Sequence, residues 1–387
     1  MLEQHDPAAL WIPPPPPMQV LVPPTALIDS DAVTDFDVRS LTARASAEAG
    51  RRWPGAYVSD PEPLPGGVSS LTYRALLHRP SNADLPIVVK MAPPGLTAVR
   101  NRDVLRQARI LRALSAAEGV PVPEIVFEDP GDPDDLDTPP MFAMTLVPGQ
   151  SYEPLLDVAA SPPTAAEIGI RAVAAARALA HMQNIDPAAL VADTETPVRL
   201  ADELDRWQRL LGTVEDDIAP GHADLHAALV RRMPRPVPPT LVHGDYRLAN
   251  MLFAGDALTA IIDWEIWSIG DPRADLAWLL MHTDPVHRFR ITRPDADIVA
   301  GQGMPSAEVL LAAYREIRAA PMPDIDWFLA YCLYKTASTL AVLIKRNRRR
   351  PDPDPTLEVA ASSLAEVIAR GRDILAGAEQ QSLPARQ

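Results

Sequence analysis

A short polar run constrains this chain of 387 residues more than any other feature. The run spans 243–250 and reads His-Gly-Asp-Tyr-Arg-Leu-Ala-Asn, and Asp263 follows an apolar segment soon after it. The carboxylate of Asp245 can orient a substrate hydroxyl and take its proton. Asn250 and Asp263 are hard oxygen ligands of the kind that hold Mg²⁺ on the phosphates of ATP. The set predicts a phosphoryl-transfer site, and the simpler interpretation is an Asp and an Asn that only satisfy turn backbone.

The segment between Asn250 and Asp263 indicates how these two residues would meet. Residues 251–253 and 258–262 favour two short strands around a turn at 254–257. A hairpin brings its two ends together, so the residue that enters it and the residue that leaves it can reach one ion. The spacing therefore supports a shared magnesium site.

Lysine is scarce in this chain. Among 36 Lys and Arg residues, only Lys90, Lys335 and Lys345 are lysines. Lys90 closes the apolar run Pro-Ile-Val-Val at 86–89, where a compact ammonium can reach phosphates as a point charge. This position predicts a phosphate contact, and the alternative is a lysine at a strand end that faces solvent.

A glycine-containing run lies upstream of Lys90 and reads Leu-Pro-Gly-Gly-Val-Ser-Ser-Leu-Thr-Tyr. Two glycines followed by hydroxyl residues between strands can cover a triphosphate with N–H and O–H donors. It is not a Walker motif, because no Gly-Lys-Ser/Thr follows, and a simple Gly-Gly hairpin turn is the alternative. The residues predicted to contact nucleotide here are Gly66, Gly67, Ser69, Ser70 and Thr72.

Together these motifs resemble the aminoglycoside phosphotransferase/choline kinase superfamily. The resemblance also includes Phe-Ala-Met-Thr-Leu-Val-Pro-Gly at 142–149 and Gly-Asp-Pro-Arg-Ala-Asp-Leu-Ala at 270–277, and it covers 36–375. The tract 243–280 most resembles the branch fused to, or encoded beside, acyl-CoA dehydrogenases. The resemblance implies an α+β, bilobal, protein-kinase-like fold, with a small β-rich N-lobe and a larger, mostly helical C-lobe.

The resemblance also implies residue roles. Asp245 would be the catalytic base, Asn250 and Asp263 the Mg²⁺ ligands, and Lys90 a phosphate ligand. Backbone at Thr145, Leu146 and Val147 would meet adenine, and Asp275 would hold the backbone of the catalytic loop. Arg247 lies two residues after the base, so two readings stay open: contact with the transferred phosphoryl group, or pairing with a nearby carboxylate.

One position departs from the kinase pattern. Kinases pair the strand lysine with a Glu on the next helix, and here that position holds Gln107. Gln107 can hydrogen-bond Lys90 without neutralising it, and Asp103, one turn earlier, is the other candidate partner. A nucleotide-binding pseudokinase that senses or scaffolds is therefore an alternative to an enzyme.

We expect four segments: a proline-rich arm at 1–35, an N-lobe at 36–147, a C-lobe at 148–378 and a tail at 379–387. Residues 120–137 read as a loop, and 356–376 as one helix. The apolar tract 327–344 reads as a buried helix, because Lys335 and several hydroxyl residues interrupt it. No partner protein is predicted, and no membrane span.

Charge and cysteine content limit partners and compartment. A net charge of −15 and a pI near 5.0 argue against nucleic-acid binding, which needs a basic surface. The single cysteine, Cys332, excludes an intramolecular disulfide, and the N-terminus lacks a signal-peptide pattern, so we expect a cytoplasmic location.

The acceptor is expected to be a small molecule with a hydroxyl group. Twelve positions separate Asp263 from Asp275, too few for a peptide-binding activation segment. A hydroxyacyl-type acceptor and an aminoglycoside-like polyol both remain candidates. The basic run 345–350 favours the first as an anchor for an anionic group, although it also suits the end of a helix dipole. His222 and His226, four residues apart, read as a surface pair rather than a metal site.

Overall fold

The computed structural model describes residues 37–64, 70–80, 82–191, 195–284 and 293–382. The predicted fold class is confirmed, because a small antiparallel sheet with two helices precedes a larger region built mainly of helices. The proline-rich arm predicted at 1–35 lies outside the described residues, as does most of the predicted tail.

The N-lobe is a five-stranded antiparallel sheet in the order β1-β2-β3-β5-β4. Along β2, buried and half-buried residues alternate, as expected for a strand with one face on a core. The next strand, β3, is buried over its last five residues and is paired on both edges, with β2 and with β5. The elements of this lobe are α1 (Val38–Arg52), β1 (Tyr57–Pro63), β2 (Leu71–His78), β3 (Leu85–Met91), α2 (Val104–Leu114), β4 (Ile125–Asp129) and β5 (Met141–Thr145).

The loop predicted at 120–137 was wrong in part, because it contains β4. Val126 and Phe127 are buried in the same hydrophobic cluster as the inner side chains of β3. This strand pairs with β5 and forms one edge of the sheet. Prolines and aspartates, which are typical of loops, lie on either side of these five residues, so the sequence pattern of the region indicated a loop rather than a strand.

The C-lobe contains ten helices among the described residues. The long helix α3 begins with a capping box. The Thr164 side chain accepts a hydrogen bond from the Glu167 amide, and the Glu167 side chain accepts one from the Thr164 amide. The single helix predicted at 356–376 is two helices, interrupted at Ser362 and Ser363. The helices are α3 (Ala165–Asn184), α4 (Pro187–Val191), α5 (Leu200–Leu211), α6 (His222–Arg231), α7 (Arg273–Met281), α8 (Asp295–Gly301), α9 (Ala307–Ile317), α10 (Ile325–Asn347), α11 (Pro355–Ala361) and α12 (Leu364–Ser382).

Helix α10 is the central helix of the C-lobe. It is the one helix in the described ranges long and apolar enough to cross a membrane, with a mean hydropathy of 1.4, yet 78% of that apolar window is buried inside the protein. It packs against α5, α7 and α12. As predicted, it is a core helix.

Two small two-stranded sheets carry the polar run of the sequence. β6 (Thr240–Val242) pairs with β9 (Ser268–Gly270), and β7 (Met251–Ala254) pairs with β8 (Ala257–Ile261). The run 243–250 is the connection from β6 to β7, and Asp263 follows β8. The predicted hairpin is therefore present, and it brings both ends to one place.

Candidate active site

The carboxylate of Asp245 is held by donors from three directions. Its Oδ1 accepts a hydrogen bond from Trp278 Nε1 at 2.8 Å, and its Oδ2 accepts one from Asn250 Nδ2 at 2.8 Å. Arg247 Nε lies 3.2 Å from both oxygens. The orientation of the predicted base is thus fixed before any substrate binds.

The same surroundings set its protonation. Burial by itself would raise the pKa of Asp245, but the positive charges of Arg247 and Lys335 outweigh it and hold the pKa well below the ordinary range. Asp245 is therefore ionised at neutral pH. An ionised, oriented carboxylate can accept a hydrogen bond from a hydroxyl and align it for attack.

The loop 243–250, which carries Asp245, is also held by the side chain of Asp275. Asp275 accepts hydrogen bonds from the backbone amides of His243 at 2.6 Å and Gly244 at 2.9 Å, which confirms its predicted contact with this loop. His243 Nε2 lies 2.9 Å from the carbonyl of Ile262, and the Asp245 amide donates to His243 Nδ1 at 3.2 Å. A neutral imidazole with its proton on Nε2 satisfies both contacts. This ring therefore ties the loop of Asp245 to the residue before Asp263.

Asn250 and Asp263 meet at the open end of the β7–β8 hairpin. The Ile262 amide donates to the Asn250 carbonyl at 2.9 Å, so the two chain ends lie side by side. The amide nitrogen of Asn250 is engaged by Asp245, which leaves its amide oxygen as the atom that can take a cation. Asp263 has a left-handed backbone with φ of 65°, and its side chain is 40% exposed.

A pair of oxygen ligands such as Asn250 and Asp263 suits Mg²⁺ better than it suits a metal that is held by protein ligands alone. In the described part of the chain, no group of three His, Cys, Asp or Glu residues could hold a metal ion. Mg²⁺ commonly takes one or two protein oxygens and completes its shell with phosphate oxygens and waters. Asn250 and Asp263 provide such a pair.

Lys90 joins the two lobes. Its Nζ lies 3.1 Å from Gln107 Oε1 and 3.3 Å from Asp263 Oδ1. Asp103 instead caps α2 by accepting a hydrogen bond from the Arg106 amide at 2.9 Å. Gln107 is therefore the helix partner of Lys90, and Asp263 is its carboxylate partner. The neutral glutamine orients the lysine and leaves its charge for other anions.

Of the five residues predicted to contact nucleotide before Lys90, only Ser70 and Thr72 lie in the described part of the chain. Ser70 is buried, and Thr72 lies opposite Lys90 in the pairing of β2 with β3. Gly66, Gly67 and Ser69 lie outside the described residues.

At the segment that joins the lobes, two of three backbone amides are already used. The Thr145 amide donates to the Glu124 carbonyl at 2.9 Å, and the Leu146 amide donates to the Pro86 carbonyl at 3.0 Å. Within the described ranges, the Val147 amide has no hydrogen-bond partner. Of the three residues predicted to meet adenine, Val147 is thus the one with a free backbone donor.

Arg247 pairs with a nearby carboxylate, which is the second of the two environments that the sequence left open. Its side chain is 2% exposed and pairs with Asp245. Glu153 and Asp157 also act on it electrostatically, and its Nη1 has no hydrogen-bond partner among the described residues. In this arrangement the buried Arg247 side chain helps to fix the orientation of the Asp245 carboxylate.

Glu153 and Asp157 were not recognised in the sequence. Glu153 is fully buried, and its carboxylate accepts a long hydrogen bond, 3.4 Å, from the Ala249 amide of the catalytic loop. Burial raises the pKa of Glu153 to about 7 and that of Asp157 to about 6. They lie in the loop before α3, where no motif marks them, so only the packing of that loop reveals their role.

Two of the five basic residues in the run at the end of α10 pair with acidic side chains. Arg348 pairs with Glu358 at 3.0 Å, and Arg349 pairs with Glu215 at 3.7 Å. The basic run begins at Lys345, ten residues beyond Lys335, or about 15 Å along the helix. Because Lys335 donates to the Gly244 carbonyl, the run begins about 15 Å along the helix from this contact with the loop of Asp245.

The sequence is similar to those of two curated proteins. Acyl-CoA dehydrogenase family member 10 of mouse is 27% identical over 286 residues, which are 73% of this chain and 26% of that protein. Human acyl-CoA dehydrogenase family member 11 is 25% identical over 258 residues, 65% of this chain and 32% of that protein. The chain thus spans about a quarter to a third of the length of these curated relatives.

Solved structures share the fold. A crystal structure assigned as an aminoglycoside phosphotransferase of Ralstonia eutropha has a TM-score of 0.68 at 21% identity, covering 89% of this chain and 99% of that one. A thermostable aminoglycoside phosphotransferase mutant in complex with AMP-PNP and hygromycin B has a TM-score of 0.52 at 15% identity, covering 86% and 98%. The model of the phosphotransferase enzyme family matches residues 60–318. With its bilobal fold and the loop of Asp245, the chain belongs to the phosphotransferase enzyme family.

Proposed function

We propose that this chain is an ATP- and Mg²⁺-dependent kinase that transfers the γ-phosphoryl group to a hydroxyl of a small molecule. The observation that carries the proposal is a continuous chain of contacts across the cleft. Lys90 of the N-lobe touches Asp263, Asp263 follows a hairpin whose other end is Asn250, and Asn250 donates to Asp245. A phosphate-binding cation, two magnesium ligands and an oriented base are thereby adjacent.

Each residue has a defined task in this proposal. Asp245 aligns the acceptor hydroxyl and takes its proton as the new bond forms. Asn250 and Asp263 hold Mg²⁺, which when bound neutralises charge on the phosphates. Lys90 binds the phosphates, with Gln107 fixing its direction. The transition state of this reaction is loose, so alignment and charge neutralisation supply most of the rate.

Two features of the N-lobe support nucleotide binding. The free Val147 amide can donate to the adenine ring at the segment between the lobes. Thr72, near the start of β2, lies opposite Lys90, and Ser70 comes just before this strand, so the hydroxyl end of the glycine-containing run leads into the strand that pairs with Lys90. The AMP-PNP complex of the structurally similar phosphotransferase supports an adenine nucleotide as donor.

The region after Asp263 supports a small acceptor. A short helical turn at Trp264–Ile266, strand β9 and helix α7 follow at once. This tract lacks the extended segment on which protein kinases bind peptides.

For the acceptor itself we propose a hydroxyacyl-type compound. The names of the curated relatives, acyl-CoA dehydrogenase family members 10 and 11, support an acyl substrate, because a kinase joined to such an enzyme would act on related molecules. An aminoglycoside is the second candidate, supported by the hygromycin B that the structurally similar phosphotransferase binds. The basic run of α10 gives little support to either, since two of its four arginines, Arg348 and Arg349, pair with acidic side chains.

The experiment is an ADP-release assay with Mg·ATP and a panel of acceptors. The panel contains a hydroxyacyl-CoA, the free hydroxy acid, the matching acyl-CoA without a hydroxyl, kanamycin and hygromycin B. We expect the hydroxylated acyl compounds alone to raise ADP release above the slow acceptor-free background, and we expect this release to be lost when EDTA removes Mg²⁺. Efficient turnover of the antibiotics alone would favour the second candidate, and nucleotide binding without turnover of any acceptor would favour a pseudokinase.

A further inference from the structure

A buried helix of the C-lobe reaches the catalytic loop through one lysine. Lys335, in the middle of α10, donates from Nζ to the Gly244 carbonyl at 2.6 Å. Gly244 has φ of 89°, a conformation that favours glycine, and a Cβ there would lie 2.8 Å from the Ile266 carbonyl oxygen. The peptide immediately before Asp245 is therefore held in a glycine-specific conformation, and its carbonyl is bound by the ammonium group.

The same ammonium group also contacts Trp278, which donates a hydrogen bond to Asp245. Lys335 Nζ lies 4.2 Å from the ring centroid of Trp278, a cation–π distance. The indole N–H of Trp278 donates to Asp245 Oδ1 at 2.8 Å. Lys335 thus touches both the peptide that precedes the base and the indole that orients the base.

The charge of Lys335 is not used in a close ion pair. Among the described residues, no carboxylate oxygen lies within 4 Å of its Nζ, whereas Lys90 has such a partner in Asp263. A half-buried ammonium without a contacting carboxylate costs desolvation energy. That cost is offset here by a charge-assisted hydrogen bond to the loop and by the indole face.

We propose that Lys335 is a positioning residue, which fixes Asp245 for transfer by binding the Gly244 carbonyl and the Trp278 indole together. The catalytic part of this inference rests on the proposed kinase function, and the structural part does not. Lys335 acts through Gly244 and Trp278, so its loss should displace the base without weakening nucleotide binding.

The test compares Lys335→Met with Lys345→Met. Lys345 is on the same helix and also donates to a backbone carbonyl, that of Thr213, so it is a matched control away from the loop. The first readout is hydrogen exchange of the backbone amides over 243–250, which requires no activity. We expect faster exchange of this segment in Lys335→Met than in wild type, and no change in Lys345→Met.

The second readout separates kcat from KM. Acceptor-free ADP release from Mg·ATP, with water as acceptor, should show a kcat lower by about 10- to 100-fold in Lys335→Met, the scale of one charged hydrogen bond. KM for ATP should stay within about twofold of wild type, because a lost loop contact leaves nucleotide binding unchanged. Lys335→Arg should recover part of kcat, since a guanidinium can still bind the carbonyl and the indole.

Three results would overturn the proposal: unchanged exchange over 243–250 in Lys335→Met, an unchanged kcat, or a loss confined to KM. If Lys335→Met does not fold, Trp278→Phe replaces it. That variant keeps the ring but removes the donor to Asp245, so it should lower kcat at unchanged KM, and a wild-type kcat would overturn the proposal. A wild-type protein that releases no ADP with water or with any acceptor of the panel contradicts the kinase function, while the exchange experiment still decides the positioning role.

Discussion

Replacing Asp245 by asparagine tests the proposed base directly, and the structure predicts two separate effects. The first is chemical. An amide cannot take the acceptor proton, so kcat should fall by roughly 10²–10⁴-fold, the usual scale for loss of a general base. Asn250, Asp263 and Lys90 are unchanged, so KM for ATP and the thermal stabilisation by Mg·ATP should be retained.

The second effect is structural and follows from the donors around the carboxylate. Oδ1 accepts from Trp278 and Oδ2 accepts from Asn250, so an amide NH₂ at either position faces an N–H group. Arg247, 2% exposed, also loses the charge of its nearest partner. Leaving buried donors unsatisfied costs about 1–3 kcal/mol each, so the variant should melt several degrees below wild type.

A matched control separates these two effects. Asp271 pairs with Arg273 two residues later, at 2.6 Å, as Asp245 pairs with Arg247. Asp271→Asn should lower the melting temperature similarly and leave kcat within a fewfold of wild type. The assay is ADP release at saturating Mg·ATP, on protein shown to be folded by its melting curve. Turnover by Asp245→Asn equal to that of Asp271→Asn would refute the assignment of Asp245 as the base.

Three further predictions follow from the same geometry. Asp263→Ala should abolish the Mg²⁺-dependent rise in melting temperature that ATP gives the wild type, and an undiminished rise would remove Asp263 from the metal site. Gly244→Ala should destabilise the protein by about 1–3 kcal/mol in a urea titration, because φ is 89° and the new Cβ would lie 2.8 Å from the Ile266 carbonyl oxygen. Burial raises the pKa of Glu153 from 4.5 to about 7, so the folded state keeps a proton that the unfolded chain releases between these values. Its contribution to stability is present below pH 4.5 and is lost as the pH rises through 7. Glu153→Gln should therefore gain stability relative to wild type between pH 5 and pH 8, by roughly 2–3 kcal/mol in urea midpoints, and parallel pH profiles would contradict it.

The comparison of Lys90 and Arg247 illustrates the limit of reading a sequence. For Lys90, the strand before it and the helix after it predicted two possible partners, Gln107 and Asp103. Both lie on one helix, but the side chain of Asp103 is used to cap that helix, and only the folded protein shows this. For Arg247, two environments were equally open, and in the folded protein its buried side chain pairs with Asp245 and interacts electrostatically with Glu153.

The sequence by itself determined the fold class and the local order of the site. Asp245, Asn250 and Asp263 belong to one loop and the hairpin that follows it, so their spacing along the sequence is enough to predict that they lie close together. Tertiary structure decided what surrounds them: Trp278 lies 33 positions from the base, Lys335 lies 91 positions from Gly244, and Glu153 lies 96 positions from Ala249. Contacts over such separations depend on how helices pack around a common core, and a local pattern carries no record of that packing.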